Sequence, residues 1–311
     1  MTHVVAGVLS DAHGRVLVAQ RGAGKHLAGT WEFPGGKLDP GENAHAGLRR
    51  ELREELGIEI GASEPLIRVP WRYPDKAIVL DAWRVLDYSG EPVGREDQAI
   101  AWHHIDELAA LDMPAADRPI VNALRLPDRY AITPEPGTDA AEFLRRVEKV
   151  LAGGVRLLQL RAKTLPHDRL QTLALATRDL ARRHGAQIVL NGDPHAARDW
   201  GFDGVHLPAH RLMRTTQRPF GHERWLAASC HDEAEIDHAN AIGVDCAVVG
   251  PVKPTASHAG APALGWARFA ELAARAAFPV YALGGLRAED VLTAREHGAQ
   301  GVAGISAFFA S

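Results

Sequence analysis

Three glutamates in the first third of the chain have a spacing that suits metal chemistry. Glu51, Glu54 and Glu55 stand at positions i, i+3 and i+4, so a helix would place their carboxylates on one face. Like charges this close repel one another, and a divalent cation would neutralise them. Because every ligand atom is a carboxylate oxygen, the set predicts Mg²⁺, with Mn²⁺ as the alternative, rather than Zn²⁺. A solvent-exposed acidic helix face is the competing interpretation.

The elements that must position these glutamates are predicted from apolar runs and turn residues. The glycine-rich loop over 33–42 leads into the helix, and Gly57 ends it. An α+β unit is therefore predicted for the first part of the chain. Its elements are two strands over 4–9 and 15–20 with a hairpin turn at 11–14, a helix over 44–56, a strand over 77–85 and a closing helix over 118–125.

The glutamates belong to a longer pattern with further fixed positions. Gly36 and Glu42 precede Arg50-Glu51-Leu52-Arg53-Glu54-Glu55-Leu56-Gly57 at set distances. This pattern resembles the Nudix box, the signature of Mg²⁺-dependent hydrolases that cleave nucleoside diphosphates linked to another group. Over residues 3 to about 125 the chain is also similar to the MutT branch, whose members hydrolyse oxidised purine nucleotides such as 8-oxo-dGTP. The segments that carry this second similarity are 25–37, 73–76, 90–96 and 114–119.

The resemblance implies a role for particular residues and a particular reaction. A metal-activated water would attack a phosphate of a small nucleotide substrate, releasing the nucleoside monophosphate and pyrophosphate. Such an enzyme would be an 8-oxo-dGTP diphosphatase that removes damaged nucleotides from the pool used for DNA replication. The implied catalytic residues are Arg50, Glu51, Glu54, Glu55 and Glu96. The implied metal ligands are Glu51, Glu54, Glu55, Glu96 and the Gly35 carbonyl, and the implied substrate contacts are Arg21, Glu32, Phe33, Lys76 and Asp117.

One of the substrate contacts departs from the pattern of the branch. Asp117 stands where the bacterial MutT pattern has an Asn that reads the oxidised guanine. An ionised Asp accepts hydrogen bonds but cannot donate one to the purine O6. The hydrolysis is therefore more strongly implied than the preference for 8-oxoguanine.

From residue 130 onwards, short apolar runs alternate with helix-length segments such as 140–151 and 165–184. This β/α rhythm predicts a parallel sheet, and eight units favour a closed (β/α)₈ barrel, or TIM barrel, over an open sheet. We therefore expect an α/β protein with a Nudix domain over 1–126 and a barrel domain over 127–311. The eight runs cover 130–133, 156–161, 187–190, 204–207, 225–229, 246–250, 280–284 and 301–305.

Polar residues at the predicted strand ends suggest a ligand site in the barrel. Strand alternation would place Gln159, Arg161 and Lys163 on one inward face, which is costly without a ligand. The seventh run ends near Gly284 and Gly285, and the eighth near Ser306, where barrels commonly bind phosphate on backbone amides. These positions predict a small phosphorylated ligand.

Residues 129 to 309 resemble the thiamine-phosphate synthase and thiazole tautomerase superfamily. Asn191 and the segments 203–207, 250–255 and 282–286 carry this similarity. The synthase pattern has metal-binding aspartates where this chain has Gly192 and Arg211, and a pyrophosphate-binding Lys where it has His258. These losses argue against synthase activity, since a synthase must neutralise a leaving pyrophosphate.

A histidine and a cysteine follow the fifth run of the barrel. His231 aligns with the catalytic His of the tautomerase branch and could shuttle a proton, although a structural or solvated His is the competing interpretation. Cys230 is expected to be a buried thiol rather than a nucleophile. With Cys246 it completes the two cysteines of the chain, too few for a disulfide framework.

Composition narrows the classes of function. The 311 residues include 35 Lys and Arg against 39 Asp and Glu, so no strong charge attracts a nucleic-acid polymer or an anionic membrane. No apolar run is long enough to span a membrane, and no signal peptide is evident, which together predict a cytoplasmic protein. Three functions remain open: an 8-oxo-dGTP hydrolase with a phosphate-binding barrel, a thiamine-pathway enzyme that cleaves thiamine-related pyrophosphates, and a catalytically silent barrel that senses a thiazole phosphate.

Overall fold

A computed structural model describes residues 1–24, 27–95, 98–255 and 262–309. The chain divides into two compact units, Met1–Arg125 and Leu126–Ser311. We refer to them as the Nudix-box unit and the barrel unit. No helix within the described residues is both long and apolar enough to cross a bilayer.

The Nudix-box unit contains short sheets and one long helix. Its strands are β1 (Thr2–Val8), β2 (Val16–Gln20), β3 (Trp31–Glu32), β4 (Gly35–Lys37), β5 (Glu59–Ile60), β6 (Ser63–Arg72), β7 (Ala77–Val85), β8 (Tyr88–Ser89) and β9 (Ile100–His103). Its α-helices are α1 (Ala44–Leu56), α2 (Ile105–Leu108) and α3 (Arg118–Arg125), and a 3-10 helix spans Ala115–Asp117. The helices predicted over 44–56 and 118–125 are confirmed.

Helix α1 is bounded by local sequence signals. The Asn43 side chain accepts a hydrogen bond from the Ala46 amide at 2.9 Å, and Gly57 ends the helix in the left-handed conformation at φ 71°. Leucines on one side of the helix are fully buried and pack with Val5 and Leu17. Burial of this side leaves the opposite face of α1 available for the glutamates.

The hairpin predicted at 11–14 needs a correction. The chain does turn there, with the Asp11 amide donating to the Arg15 carbonyl at 3.0 Å. However, β1 lies in a sheet of order β4-β1-β7-β6, whereas β2 lies in a sheet of order β3-β2-β9. The two strands separate after one bridge, Ser10 to Val16, because each finds its main partner elsewhere.

The barrel unit is a closed ring of eight parallel strands, which confirms the predicted fold class. Each predicted run overlaps one strand. The strands are β10 (Arg129–Ile132), β11 (Leu157–Leu160), β12 (Gln187–Asn191), β13 (Gly204–Leu207), β14 (Trp225–Cys230), β15 (Cys246–Val249), β16 (Val280–Leu283) and β17 (Gly301–Gly304).

Helices follow the barrel strands and cover their outer side. They are α4 (Ala140–Ala152), α5 (His167–Arg183), α6 (Pro194–Asp199), α7 (Ala209–Leu212), α8 (Glu233–Ile242), α9 (Gly265–Arg275), α10 (Val291–Glu296) and α11 (Ser306–Phe309), with a 3-10 helix at Ala288–Asp290. Alternate strand residues form two cores. Leu158 and Leu160 pack outwards against the helices, whereas Tyr130, Trp225 and Tyr281 belong to the cluster inside the ring.

Candidate active site and ligand pocket

The glutamate face of α1 lies against the glycine loop. Glu54 keeps 60% of its side-chain area exposed, whereas Glu51 keeps only 14%. The difference arises because Glu51 lies directly against Gly36, where any Cβ would overlap its carboxylate. Glycine at position 36 therefore allows the loop to approach the helix this closely.

Arg50 connects the loop to two of the glutamates. Its guanidinium donates to the Glu42 carboxylate at 2.8 and 3.1 Å and to the Lys37 carbonyl at 2.9 Å. It also donates to Glu51 at 2.8 Å and lies 3.4 Å from the Glu54 carboxylate. Hydrogen bonds with Glu42 and Glu51 raise the pKa of the guanidinium further above its usual range. Arg50 is thus a permanent charge that orients these carboxylates.

Glu55 is held by the backbone of the same loop. It accepts a hydrogen bond from the Gly35 amide at 2.9 Å. Gly35 has φ 149°, and a Cβ there would overlap the Val5 carbonyl of β1. The glycine loop is thus fixed between β1 and the acidic helix.

The residues fit a hard divalent cation by donor type. All three side chains offer carboxylate oxygens on one helix face, and the glycine loop contacts Glu51 and Glu55. In the described parts of the chain, no three acidic, histidine or cysteine side chains converge into a ready-made metal site. The reason is visible in the contacts, since Arg50 binds Glu51 and Glu54 while the Gly35 amide holds Glu55. Glu96, predicted as a further ligand, lies outside the described residues.

A cavity of about 470 Å³ opens beside the loop. Gly35 and Gly36 line it, so the cavity reaches the residues that contact Glu51 and Glu55. The structure brings together here all five residues predicted to contact substrate, namely Arg21, Glu32, Phe33, Lys76 and Asp117. Its volume suits a nucleotide-sized ligand.

Charges in this cavity are partly paired. Arg21 forms an ion pair with Glu32. The Lys76 ammonium lies 5.3 Å from the centre of the Tyr73 ring, within the range of a cation–π contact. Arg21, Lys37 and Lys76 all line this cavity, and three cationic residues are a suitable environment for phosphate.

Asp117 is the buried acid of this cavity. Only 6% of its surface is exposed. Burial, reinforced by the negative charge of Glu32, raises its pKa to about 8, although the Phe33 amide and Arg21 oppose the shift. Asp117 is therefore mostly neutral at pH 7, and a neutral carboxyl group carries an O–H donor. The limit stated for an ionised Asp117, which cannot donate to a purine O6, does not apply to this neutral form.

The barrel has its own pocket, of about 280 Å³, at the carboxyl ends of its strands. The structure brings together here every residue predicted to bind the barrel ligand: Gln159, Arg161, Lys163, Asn191, His231, Gly284, Gly285 and Ser306. One detail of the reasoning was wrong. Strand β11 ends at Leu160, so Arg161 and Lys163 reach the pocket from the following loop rather than by strand alternation.

Glu135 fixes that loop. Its carboxylate accepts hydrogen bonds from the Lys163 amide at 3.1 Å and the Thr164 amide at 2.8 Å, and it lies 3.6 Å from the Arg161 guanidinium. Although burial raises the pKa of Glu135, its hydrogen bonds lower it more, and the net shift is downward. The cationic side of the pocket is thus held by an ionised carboxylate.

A chain of neutral hydrogen bonds forms the floor of the pocket. Asn191 Nδ2 donates to Gln159 Oε1 at 2.8 Å, and Gln159 Nε2 donates to the Tyr130 hydroxyl at 3.2 Å. Tyr130 lies 3.0 Å from His206 Nδ1, and His206 Nε2 lies 2.8 Å from the Ser229 hydroxyl. Sequence reasoning missed Tyr130, His206 and Ser229, although alternation along β13 could have placed His206 inside the barrel.

The direction of this chain follows from its two amides. Because Tyr130 accepts from Gln159, its own proton points to His206 Nδ1. Burial lowers the pKa of His206 to about 3, so the ring is neutral and its single proton lies on Nε2, facing Ser229. Ser229 consequently keeps its own hydroxyl proton as a donor for a ligand.

His231 borders the same pocket and has a carboxylate partner. Its Nδ1 lies 2.9 Å from a Glu235 oxygen, which also accepts from the His231 amide at 2.6 Å. Glu235 lies in α8, one helical turn further along the chain. This contact orients the ring, and Glu235 is a partner that sequence reasoning did not identify.

Neither of the two residues at the metal positions of the synthase pattern has a carboxylate side chain. Gly192 has φ 134°, a conformation that an aspartate would rarely adopt, and Arg211 lies in α7. Cys230 and Cys246 are buried, unpaired thiols, as predicted. Burial raises the pKa of both far above the usual range, so neither is a nucleophile.

Comparisons with known proteins match both units. The family model for the NUDIX domain matches residues 5–123, and that for thiamine monophosphate synthase matches residues 129–308. In the first unit, the CTP pyrophosphohydrolase of Escherichia coli is 39% identical over 40% of this chain and 90% of its own. The 8-oxo-dGTP diphosphatase of Escherichia coli is 33% identical over 39% of this chain and 95% of its own. In the second unit, the thiamine-phosphate synthase of Thioalkalivibrio sulfidiphilus is 35% identical over 60% of this chain and 89% of its own.

Proposed function

Since the chain belongs to the Nudix family in its first unit and to the thiamine monophosphate synthase family in its second, we propose an oxidised purine nucleoside triphosphate as its substrate. The first unit converts a substrate of the 8-oxo-dGTP type to the monophosphate and pyrophosphate. The observation that carries this proposal is the lining of the cavity beside the glycine loop. It joins the buried Asp117 to the glycines that contact Glu51 and Glu55.

Different residues of the first unit have different roles in this hydrolysis. Glu51, Glu54 and Glu55, with Glu96 and the Gly35 carbonyl, would hold Mg²⁺, which when bound acidifies water and neutralises phosphate charge. The Glu51 carboxylate takes the proton of the attacking water, and Arg50 orients that carboxylate. Arg21 and Lys76 would face the nucleotide from the cavity wall.

Asp117 supports the base preference. Its neutral carboxyl presents one donor and one acceptor, as the Asn of the MutT pattern does. Phe33 lines the same cavity, and its backbone amide forms a hydrogen bond with the Asp117 carboxyl.

The test compares kcat/KM for 8-oxo-dGTP, dGTP, CTP and thiamine diphosphate under identical Mg²⁺ concentrations. CTP is included because a CTP pyrophosphohydrolase is among the relatives of this unit. We expect 8-oxo-dGTP to be the best of the four substrates. A clear preference for CTP or thiamine diphosphate would contradict the proposed substrate and leave only the hydrolase class.

A second candidate function comes from the fused barrel. Its family membership and its pocket favour a thiamine-pathway protein, in which the first unit cleaves thiamine-related pyrophosphates. In that case the barrel is a thiazole tautomerase that uses His231 for proton transfer, or a sensor of a thiazole phosphate. Preferred turnover of thiamine diphosphate in the comparison above would select this candidate.

For the barrel itself, we propose binding of a small phosphorylated ligand without synthase activity. Gly284, Gly285 and Ser306 offer backbone amides for phosphate, while Arg161 and Lys163 add positive charge. Gly192 and Arg211 offer no carboxylate for a pyrophosphate-bound Mg²⁺. Calorimetric titration of the full chain with a phosphorylated thiazole tests the binding. A coupled synthase assay on the same protein tests the absence of synthase activity. Mg²⁺-dependent synthase turnover would contradict the proposal.

A further inference from the structure

Another cavity of the barrel unit lies on the outer side of the strand ring, between α4 and α11, and we refer to it as the outer cavity. Its volume is about 580 Å³. Helix α11 spans only four residues, so it covers little of the outer side of β10 beside it. Arg146 of α4 donates to the Phe309 carbonyl at 2.9 Å, which joins α11 to α4. Among the described residues, the outer cavity shares none with the pocket at the carboxyl ends of the strands.

Cationic side chains from two elements line the outer cavity. Arg145, Arg146 and Lys149 belong to α4, and Arg129 begins β10. Because Tyr130 points into the ring, strand alternation turns the Arg129 side chain outwards. The fold thus brings four cationic residues to one cavity of a chain whose formal net charge is -4.

These positive charges are only partly balanced. Glu142 is the acidic residue of the described lining, and its carboxylate accepts from Arg145 at 2.6 and 3.1 Å. Arg145 and Lys149 stand at i and i+4 of α4, where like charges repel each other. In the parts of the chain that the structure describes, neither the Arg129 nor the Lys149 side chain has a hydrogen bond or an ion pair. An anion in the outer cavity would therefore relieve a repulsion that the protein itself leaves unbalanced.

A favourable helix position explains only part of this cluster. Lys149 lies in the last turn of α4, where the helix dipole favours a positive charge. Arg129 lies on a strand, outside this effect, yet it lines the same cavity. The cations also surround apolar residues, since Val150 and Val155 are buried and Phe308 is half-buried. Positive charge and apolar surface meet here in a space within the range of about 300–1,000 Å³ that is usual for small-molecule ligands.

We propose that the outer cavity binds a small molecule in which a phosphate group is attached to an apolar ring. Arg129, Arg145 and Lys149 hold the phosphate by charge-assisted hydrogen bonds. The ring packs against Val155 and Phe308. None of the described residues of this site lines the cavity beside the glycine loop. This inference and the proposed hydrolysis can therefore fail independently.

Phenyl phosphate is the probe, because it joins one phosphate to one aromatic ring and has no phosphoanhydride bond for the first unit to cleave. Hydrogen exchange of the full chain, resolved by peptide, can follow α4, which contributes no described residue to the pocket at the strand ends. We expect phenyl phosphate to slow exchange over residues 143–153 with a saturable dependence on its concentration. Inorganic phosphate should bind at least about tenfold more weakly, because the burial of the ring is lost.

The double variant Arg129→Gln with Lys149→Gln should weaken the binding of phenyl phosphate at least about tenfold, because two charge-assisted hydrogen bonds are lost. Both side chains are exposed, so we expect the variant to fold. Arg183→Gln is the matched control, since Arg183 lies in the last turn of α5 and does not line the outer cavity. Gly284→Ala alters the pocket at the strand ends and should leave the protection of α4 unchanged.

The outcomes separate the outer cavity from other phosphate sites. Weaker protection of α4 in the double variant, with normal protection in Arg183→Gln and Gly284→Ala, supports the inference. Normal protection in the double variant, an equal loss in Arg183→Gln or a loss in Gly284→Ala would overturn it. Equal affinities for phenyl phosphate and inorganic phosphate would contradict the apolar part of the ligand. Absence of protection by either probe would overturn the site altogether.

Discussion

The two units handle polar groups in opposite ways. In the Nudix-box unit the three glutamates of the acidic helix are charged, and they are held by the Arg50 guanidinium and the Gly35 amide. In the barrel unit the polar floor is neutral, is buried, and is built from Tyr130, Gln159 and other residues of five different strands. A charged site that can rearrange suits metal-assisted displacement at phosphorus, whereas a satisfied neutral network suits recognition.

The buried titratable groups extend the contrast. In the first unit burial keeps an acid, Asp117, neutral, and in the barrel it keeps a base, His206, neutral. Both groups follow the same physics, since desolvation penalises whichever form is charged. Their effects on stability therefore have opposite signs with pH.

The largest expected effect is a loss of kcat when a glutamate of the acidic helix is replaced, and it tests whether these glutamates are catalytic rather than structural. Glu54→Gln or Glu55→Gln should lower kcat at least about 10²-fold, because each removes one metal-ligand charge while preserving the helix. Glu59→Gln is the matched control, since Glu59 pairs with Arg53 away from the cavity. Near-normal turnover of both variants at saturating Mg²⁺ would refute the metal assignment.

The second prediction tests whether the barrel glycines bind phosphate. Gly284→Ala should weaken binding of inorganic phosphate about tenfold, because a Cβ there would lie 2.6 Å from Pro251 Cβ and shift the loop. Gly243→Ala is the control, because Gly243 also has a positive φ, of 71°, but a Cβ there would meet no atom within 4 Å. Calorimetry on both variants compares them, and equal losses would mean that backbone strain alone explains the result.

The third prediction concerns the neutral network. Tyr130→Phe should lower the free energy of unfolding of the barrel by about 1–3 kcal/mol, because Gln159 and His206 lose their shared partner while buried. Tyr281→Phe should cost less, since its hydroxyl donates to a single partner among the described residues, the Pro127 carbonyl. Denaturant unfolding of the two variants gives the comparison. A larger loss in Tyr281→Phe would show that the network is not what stabilises the floor.

The fourth prediction concerns opposite pH trends in the stability of the two units. The pKa of His206 falls from 6.5 to about 3 on folding, so the unfolded state binds more protons and the barrel loses stability as pH falls from 6.5 towards 3. The pKa of Asp117 rises from 3.8 to about 8, so the folded state binds more protons and the first unit loses stability as pH rises from 4 towards 8.

Hydrogen exchange resolved by peptide can follow each unit separately. Asp117→Asn should flatten the trend of the first unit and raise its stability at pH 8, and His206→Gln should flatten that of the barrel. A trend that persists in the corresponding variant would place the titrating group elsewhere.

The distance along the chain between interacting residues determines which parts of the fold and of the sites could be predicted from the sequence. The acidic helix is one contiguous segment with its own cap signals, so its position and face could be predicted. The eight strands could be predicted because each is a short apolar run between helical segments. The floor of the pocket could not, because Tyr130 and His206 are 76 residues apart and meet only when the ring closes.

The same reasoning explains why the charge of Asp117 could not be predicted from the sequence. Its residue type was visible, but its charge depends on burial and on Glu32, which is distant in the chain. The divergence of β1 and β2 was hidden for a similar reason, since each strand's partner, β7 or β9, comes much later.

Product analysis after incubation of the full chain with 8-oxo-dGTP and Mg²⁺ tests the central claim most directly. If Glu51, Glu54 and Glu55 perform Nudix chemistry, the products are 8-oxo-dGMP and pyrophosphate, and Glu54→Gln yields neither at a comparable rate. Release of inorganic phosphate with 8-oxo-dGDP, or equal product formation by the variant, would contradict the account.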